Sequence, residues 1–341
     1  MSSGQHAPIV HARPTLADVA RLSGVSPKTV SRVYAHPDAV SPDTREKVLA
    51  AADRLHFRPN VLASSLRRDG LMRTVGFVTA ELTNQFYVQV ATGIEREMSA
   101  HDLTMVVATS DDPEGERRVI DALVSQRVRS ILFVPVGADH SFLEGERRLG
   151  LSIVALDRPA RNLVADSVVL DNRRGGYLAT RSLVEHGHRR IGYVCNPLGV
   201  YTQDERLAGY DDALGEVGLP TGRTYLRGSD DVSVPIERLI EDLLDLPDPP
   251  TAIVCGNNRA TTAAVRVLRR RRADVALVGY DDLDLADMFG ISVIRHDPVE
   301  LGRIAARRAL HRLDDPTGAT EMIVVPVEYV ARGSGERPPV G

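Results

Sequence analysis

Two sets of residues in this sequence have the types and the spacing to do chemistry. Lys28, Thr29 and Arg32 lie three and four residues apart around one helical face, with donors able to reach base edges and phosphates in a DNA major groove. Phe86, Tyr87, Asp157, Asn257 and Asp281 instead fall just after apolar, strand-like runs or at the helices that follow them. There the two aromatics offer flat faces to a sugar or purine ring, and the three polar residues offer acceptors and donors to hydroxyls. One or two aromatics with a few fixed polar groups are what a small-molecule pocket needs. Singly, each has a plainer use, the aromatics as core and Asp171 or Asp281 as a helix cap; as a set they favour a pocket.

Other signals have simpler physical readings. His186-Gly187-His188 suggests a metal pair, yet Gly187 suits a helix C-terminal turn, where histidines are favoured by the dipole. The run Arg269 to Arg272 ends a helix, where cations are equally favoured. Asp281, Asp282, Asp284 and Asp287 have no spacing that defines a cation site. Phosphate loop, G-x-S-x-G and H-E-x-x-H motifs are all missing from the sequence, so it predicts neither an enzyme nor a metal or other cofactor. Cys195 and Cys255 sit inside the apolar runs IGYVCN and AIVCGN and read as buried reduced thiols.

The elements that must position these residues change character along the chain. Thr15-Leu16-Ala17-Asp18 is a capping-box variant that opens a helix running to about Leu22, and Gly24 supplies a turn. Ser26-Pro27 caps and opens a second helix, PKTVSRVY, and Ser41-Pro42 repeats the device for a third, roughly Asp43 to His56. Ala20, Val25 and Val30 are placed to pack the first two helices, and Val48, Ala52 and Leu55 form a face that covers them. This spacing is helix-turn-helix geometry. Arg58-Pro59 stops the third helix, and 58–70 is expected to be a linker with conditional helix, too short to be stable alone.

From Thr74 onward, nine apolar runs of strand length alternate with amphipathic helical stretches: TVGFVTA, LTMVVATS, SILFVPVG, SIVALD, SVVLD, RIGYVCN, AIVCGN, ALVGYDD and SVIRHD. Continuous apolar strands between helices imply parallel sheets covered on both faces, and so many are better housed in two sheets than one. The expectation is an α/β protein of two lobes with a cleft between them, where a ligand lies beyond the carboxyl ends of the strands. Domain boundaries are expected at a disordered tail 1–13, a helix-turn-helix domain 14–57, a linker 58–70, a two-lobed body 71–335 and a tail 336–341. Apolar helix faces such as IEREMSA, after Gly93, offer a surface for dimerisation.

The 341 residues are 43% hydrophobic and 26% charged, enough to bury a large core. The net charge of −4 hides an asymmetry: residues 1–70 hold ten Lys and Arg against six Asp and Glu, while the rest hold 32 against 40. A basic head on an acidic body suggests that the head alone meets a polyanion. No apolar stretch reaches bilayer length and the N-terminus lacks the apolar core of a secretory signal, so a cytoplasmic protein with no membrane partner is expected.

TLADVARLSGVSPKTVSRVY, followed by VSPDTREKVLAAADRLHFRPNVLASSLR, resembles the head of the LacI/GalR family of bacterial transcription regulators throughout 14–68. The resemblance implies that Thr15, Ser26, Ser31 and Thr44 anchor phosphates and that Pro27, Lys28 and Arg32 hold base-reading positions. Pro27 has no side-chain hydrogen-bonding group, so direct reading falls on Lys28 and Arg32, with Thr29 on the same face. It also implies a hinge helix in which Asn60, Ala63 and Leu66 contact the operator, Leu66 as a minor-groove wedge. Ser64, Ser65, Arg67 and Arg68 leave Leu66 little core to join.

The body resembles the same family's two-lobed, periplasmic-binding-protein-like domain up to about Ser334, through TNQFY, VALDRP, VVLDNRRGGYLATRSLVEHGHRRIGYV, ERLAGY, VGYDDLDLA and VELGRIAARRAL. Asn258 stands where the family usually has Asp, Asp204 where some sugar-binding relatives use arginine, and Arg206 is either the pocket cation or a support behind it. The implied function is a homodimeric repressor of palindromic operator DNA, controlled by a small molecule such as a sugar. A solute-binding protein of a sugar transport system is the alternative, and a sugar-acting enzyme is disfavoured by the missing catalytic constellation.

Overall fold

The computed structural model describes residues 14–58, 73–221, 223–231, 233–282, 284 and 286–339. The chain divides into two compact units, 1–72 and 73–341. The expected hinge contacts Asn60, Ala63 and Leu66 and the expected tail 1–13 lie outside the described residues.

The first unit holds three helices, α1 (Leu16–Ser23), α2 (Pro27–Ala35) and α3 (Pro42–Arg54). Each start is fixed by the cap the sequence offers. Thr15 accepts from the Asp18 backbone N–H while Asp18 accepts from that of Thr15; Ser26 and Ser41 cap α2 and α3 ahead of a proline at the first helical position. Gly24 closes α1 in the left-handed region at φ 72°. Val19, Ala20, Val30, Val33, Val48, Ala51 and Ala52 form the core, with Val25 and Leu55 packed against it. The third helix is shifted from the sequence expectation, starting at Pro42 and ending at Arg54, because His56 turns to φ 50°.

The second unit is built on two six-stranded sheets. Taking strands in chain order, β1 (Thr74–Thr79), β2 (Thr104–Thr109), β3 (Ser130–Phe133), β4 (Ser152–Leu156), β5 (Asp166–Leu170) and β11 (Met322–Val325) make the first, ordered β11-β5-β4-β3-β1-β2. The second is ordered β12-β10-β9-β8-β6-β7 and comprises β6 (Ile191–Val194), β7 (Leu226–Arg227), β8 (Ala252–Cys255), β9 (Ala276–Tyr280), β10 (Ser292–Arg295) and β12 (Glu328–Val330). All nine expected strands are present and parallel to their described neighbours, apart from β10 against β12, which is antiparallel. The three strands the sequence did not announce, β7, β11 and β12, are short and partly exposed at sheet edges; β7 and β12 carry no continuous apolar run, while β11, MIVV, does and was passed over.

The helices that cover these sheets are α4 (Gln85–Ser99), α5 (Pro113–Ser125), α6 (Glu144–Arg148), α7 (Asn172–Glu185), α8 (Tyr201–Gly215), α9 (Ile236–Leu244), α10 (Asn258–Arg271) and α11 (Pro298–Asp314). The chain passes between the lobes after β5, after β10 and between β11 and β12, so three short segments join them. Two helix pairs meet at glycines. A Cβ on Gly93 of α4 would lie 2.0 Å from the Val299 carbonyl oxygen of α11, and one on Gly302 of α11 would lie 2.1 Å from that of Val90. This packing corrects the expected dimer surface: Ile94 and Met98 of IEREMSA are fully buried inside the first lobe. The C-terminal residues also differ from a free tail, since Glu336 accepts from Ser292 and the Arg337 carbonyl is bonded to buried His188.

Candidate functional site

On the head, the candidates differ in how the fold already uses them. Lys28 and Arg32 are exposed and, among the described residues, neither is held in an ion pair, whereas Arg21 and Lys47 pair with Asp18 and Asp43. The hydroxyl candidates are already employed: Thr15 donates to Asp18 at 2.6 Å, Ser26 and Thr29 bond each other at 2.8 Å, and Ser41 donates to Thr44 at 2.9 Å. Thr15's hydrogen bonds lower the Asp18 carboxyl below its ordinary value. These hydroxyls fix the helix starts, and each retains lone pairs or rotor freedom at an exposed N-terminus. Pro27 is exposed, and Ser31 is half-buried.

In the body, one cavity of about 470 Å³ opens between the lobes, and all six sequence candidates line it: Phe86, Tyr87, Asp157, Arg206, Asn257 and Asp281. Asp157 follows β4 and Asp281 follows β9, the equivalent third strands of the two sheets. Both are left-handed, at φ 67° and 65°. Both backbone N–H groups extend the sheet, donating to Val168 and Ile294 at 2.9 and 3.0 Å. Aspartate tolerates this region better than most residues, and the turn it makes carries the carboxylate away from the sheet end.

Partners then set the charge of each group. Burial is the largest influence on Asp281 and pushes its carboxyl up, but the hydrogen bond and charge of His296, 2.7 Å away, together with Arg206, leave it below the ordinary value. Tyr87 is pushed far up by burial and by the charge of Asp157, so it stays a phenol and donates to Asp157 at 3.3 Å. Arg206 sits on α8 with its guanidinium 3.6 Å from the ring centre of Tyr280. It donates to Asn172 at 2.8 Å and to the Gly256 carbonyl at 2.7 Å. Burial opposes its charge, yet the surrounding Tyr280, Asp281 and Asp157 raise its pKa, so it is a fixed cation. Asp204 is exposed and is not among the lining residues, so Arg206 is the cation that α8 brings to the cavity.

Two expectations change in detail. Asn257 lines the cavity, but its amide is committed to the protein: its oxygen caps α10 through Ala260 N–H and its nitrogen donates to the Asn196 carbonyl. Phe86 and Tyr87 are largely core, 9% and 7% exposed, and pack edge-to-face against each other rather than offering open faces. Asn258 donates its amide to Asn84 across the cleft at 2.8 Å, a bond no carboxylate could give. Glu81 with Arg259 and Gln85 with Asp284 also bridge the lobes at the rim.

The sequence reading missed Arg158 and Asn196, which line the same cavity. Arg158 directly follows Asp157 and Asn196 ends a strand run, so position alone could have named both. Arg158 Nε and Asn196 Oδ1 are buried and without hydrogen-bond partners among the described residues. The orientation of Asn196 is fixed because its nitrogen donates to the carbonyls of Val234 and Asp231.

The minor signals resolve as structural. His188 is buried between Thr251 and the Arg337 carbonyl, and Gly187 is left-handed after α7. Arg269 lies over the Phe289 ring, and Arg270 and Arg271 pair with Glu241 and Asp245. Cys195 and Cys255 are free thiols whose pKa burial pushes up to about 12. No helix among the described residues is long and apolar enough to cross a membrane.

The sequence pattern described as "Bacterial regulatory proteins, lacI family" matches residues 15–60, and that of a "Periplasmic binding protein-like domain" matches 180–335. The transcriptional regulator CelR, solved as a cellobiose complex, is 31% identical over 94% of this chain and 100% of its own, with a TM-score of 0.68. The chain belongs to the LacI family. The ribose operon repressor of Haemophilus influenzae is 28% identical, covering 94% of this chain and 98% of that protein. A lac repressor dimer bound to operator and the anti-inducer ONPF superposes with a TM-score of 0.81 at 25% identity, over 95% of this chain and 99% of its own. As a LacI-family protein, this chain is a DNA-binding transcriptional regulator and not a solute-binding protein of a transport system.

Proposed function

We propose that this LacI-family regulator is a cytoplasmic, homodimeric repressor without catalytic activity, and that a small polyhydroxylated metabolite in the interlobe cavity sets its affinity for a palindromic operator. One observation carries the ligand class. A buried donor, Arg158 Nε, and a buried acceptor, Asn196 Oδ1, come from opposite lobes, belong to residues that line one cavity and lack hydrogen-bond partners among the described residues, Arg158 Nε having only the Asp157 carboxylate 3.7 Å away as an ion-pair partner. Buried polar groups are ordinarily satisfied, so a ligand with adjacent hydroxyls completes them. The ionised Asp281 and the fixed Arg206 add an acceptor and a donor on the same wall. The cellobiose complex of CelR and the naming of the ribose operon repressor support a sugar.

On the DNA side, Lys28 and Arg32 read bases, Thr29 shares their face, and Thr15, Ser26, Ser31 and Thr44 bind phosphates beside Pro27. Asn60, Ala63 and Leu66 are proposed to complete the contacts in the linker. The test is calorimetric titration of the full chain with D-ribose, other aldopentoses, hexoses and cellobiose, with purines as the competing class. A sugar that binds wild type but not Asp281→Ala, and that shifts affinity for a selected palindromic duplex, is the expected result. Binding of a purine alone would replace the sugar reading.

A further inference from the structure

Behind the first lobe's half of the cavity lies a buried acid and a buried histidine that the ligand contacts leave unexplained. Glu116, on the first turn of α5, is 1% exposed and His140, in the loop after β3, is 0% exposed. One carboxylate oxygen of Glu116 accepts from the Val136 backbone N–H at 2.6 Å. The other accepts from the Gly137 N–H at 3.3 Å and from His140 Nε2 at 3.0 Å. With Nε2 as the donor, the neutral ring leaves Nδ1 as an acceptor, and it receives the Arg161 backbone N–H at 3.1 Å. The Arg161 carbonyl in turn accepts the His140 backbone N–H at 2.9 Å. Phe133 packs beside the imidazole at 5.3 Å between ring centres.

We propose that Glu116 and His140 are positioning residues that button the loop after β3 to the loop after β4, and so preset the Asp157–Arg158 wall of the effector cavity. The proposal rests on the cavity being the effector site. Neither side chain lines that cavity, while Val136, which donates to Glu116, does, as do Asp157 and Arg158, a few residues before Arg161 at the other end of the network. The left-handed turn at Asp157 needs such support, because a non-glycine residue in that region persists only when its surroundings over-determine it. Glu116 also acts on Arg158 by charge: burial opposes the buried guanidinium, and Glu116 joins Tyr87 and Asp157 in holding its pKa raised. A carboxylate is required rather than an amide of the same shape, since donors converge on both oxygens and an amide would turn its NH2 toward one of them.

The test uses the full-length chain, with Glu116→Gln and His140→Phe, the second keeping a ring against Phe133. Hydrogen exchange by mass spectrometry and the 15Nε–H signals of arginine are recorded without any ligand. In both variants, amides within 134–141 and 157–163 are expected to exchange about tenfold faster or more, the loss of one or two buried hydrogen bonds. The Arg158 signal should move, and that of Arg206 on the opposite lobe should not. Unchanged exchange over 157–163 with an unmoved Arg158 signal overturns the proposal. Exchange that accelerates equally through β3 and β4 also overturns it, because a merely structural pair would loosen the whole lobe. If one variant fails to fold, the other decides. With D-ribose as the probe, variants of a ribose-binding wild type should lose about tenfold or more in affinity. A wild type that ignores ribose speaks against that sugar and leaves the ligand-free readouts standing.

Discussion

At the scale of single residues, charge and pairing divide the protein's polar groups into those held by the fold and those offered to a partner. Lys28 and Arg32 belong to the second kind. Replacing either with alanine should weaken operator binding by ~1–3 kcal/mol if the contact is to a base edge, and operator and scrambled duplex affinities should converge. Equal discrimination before and after the change would move the reading function elsewhere on the head. Asp281 belongs to both kinds, because its bond to His296 holds it ionised while it faces the cavity. Its pKa lies below the ordinary 3.8 despite the opposing effect of burial. The stabilisation this represents is fully present above pH 3.8 and is lost as the pH falls through the lower, folded value. Denaturant melts of wild type and Asp281→Asn should therefore converge below that pH and separate above it.

At the scale of elements, the close pairing of α7 with α8 positions Arg206. A Cβ on Gly176 would lie 1.9 Å from the Arg206 carbonyl oxygen, and one on Gly209 would lie 1.9 Å from that of Arg173. Neither contact can be relieved by rotating a side chain, since the obstacle is backbone. Gly176→Ala should force the helices apart, destabilise the second unit by ~1–3 kcal/mol and displace the guanidinium from Tyr280. A thermal melt with effector titration checks both effects; unaltered effector affinity would show that Arg206 tolerates the shift. The helix starts were legible in the sequence because a cap acts within three or four residues, as Thr15 with Asp18 does. The helix partners were not. Gly93 marks a close approach in the structure, but its sequence neighbours cannot say that α11, some two hundred residues later, is what approaches.

At the scale of the whole molecule, the proposed operator contacts and the proposed effector cavity fall in separate compact units. Asp281→Ala should abolish the effector response while leaving unliganded operator affinity largely intact, and Arg32→Ala should do the reverse. Titrating both variants separately with sugar and with operator decides this, and loss of operator binding by a folded Asp281→Ala would contradict the division of labour. The rim pairs between the lobes are exposed, with Arg259 53% and Glu81 27% accessible, so closure draws little from them, ~0–1 kcal/mol. A ligand satisfying Arg158 and Asn196 together is the stronger tie between the lobes.

The sequence by itself determined the three capped head helices, nine strands in an order that implies two lobes, and the six candidates later found around one cavity. Each of these depends on local periodicity or on the rule that loops at strand ends converge. Only the tertiary structure decided that Asn257 spends its amide as a cap, that Ile94 and Met98 face inward, and that Arg158 Nε and Asn196 Oδ1 are left without hydrogen-bond partners among the described residues. Periodicity tells which face of an element is apolar but not what covers it. A hydrogen-bonding group carries no sign in the sequence of whether a distant backbone will claim it or leave it for a ligand.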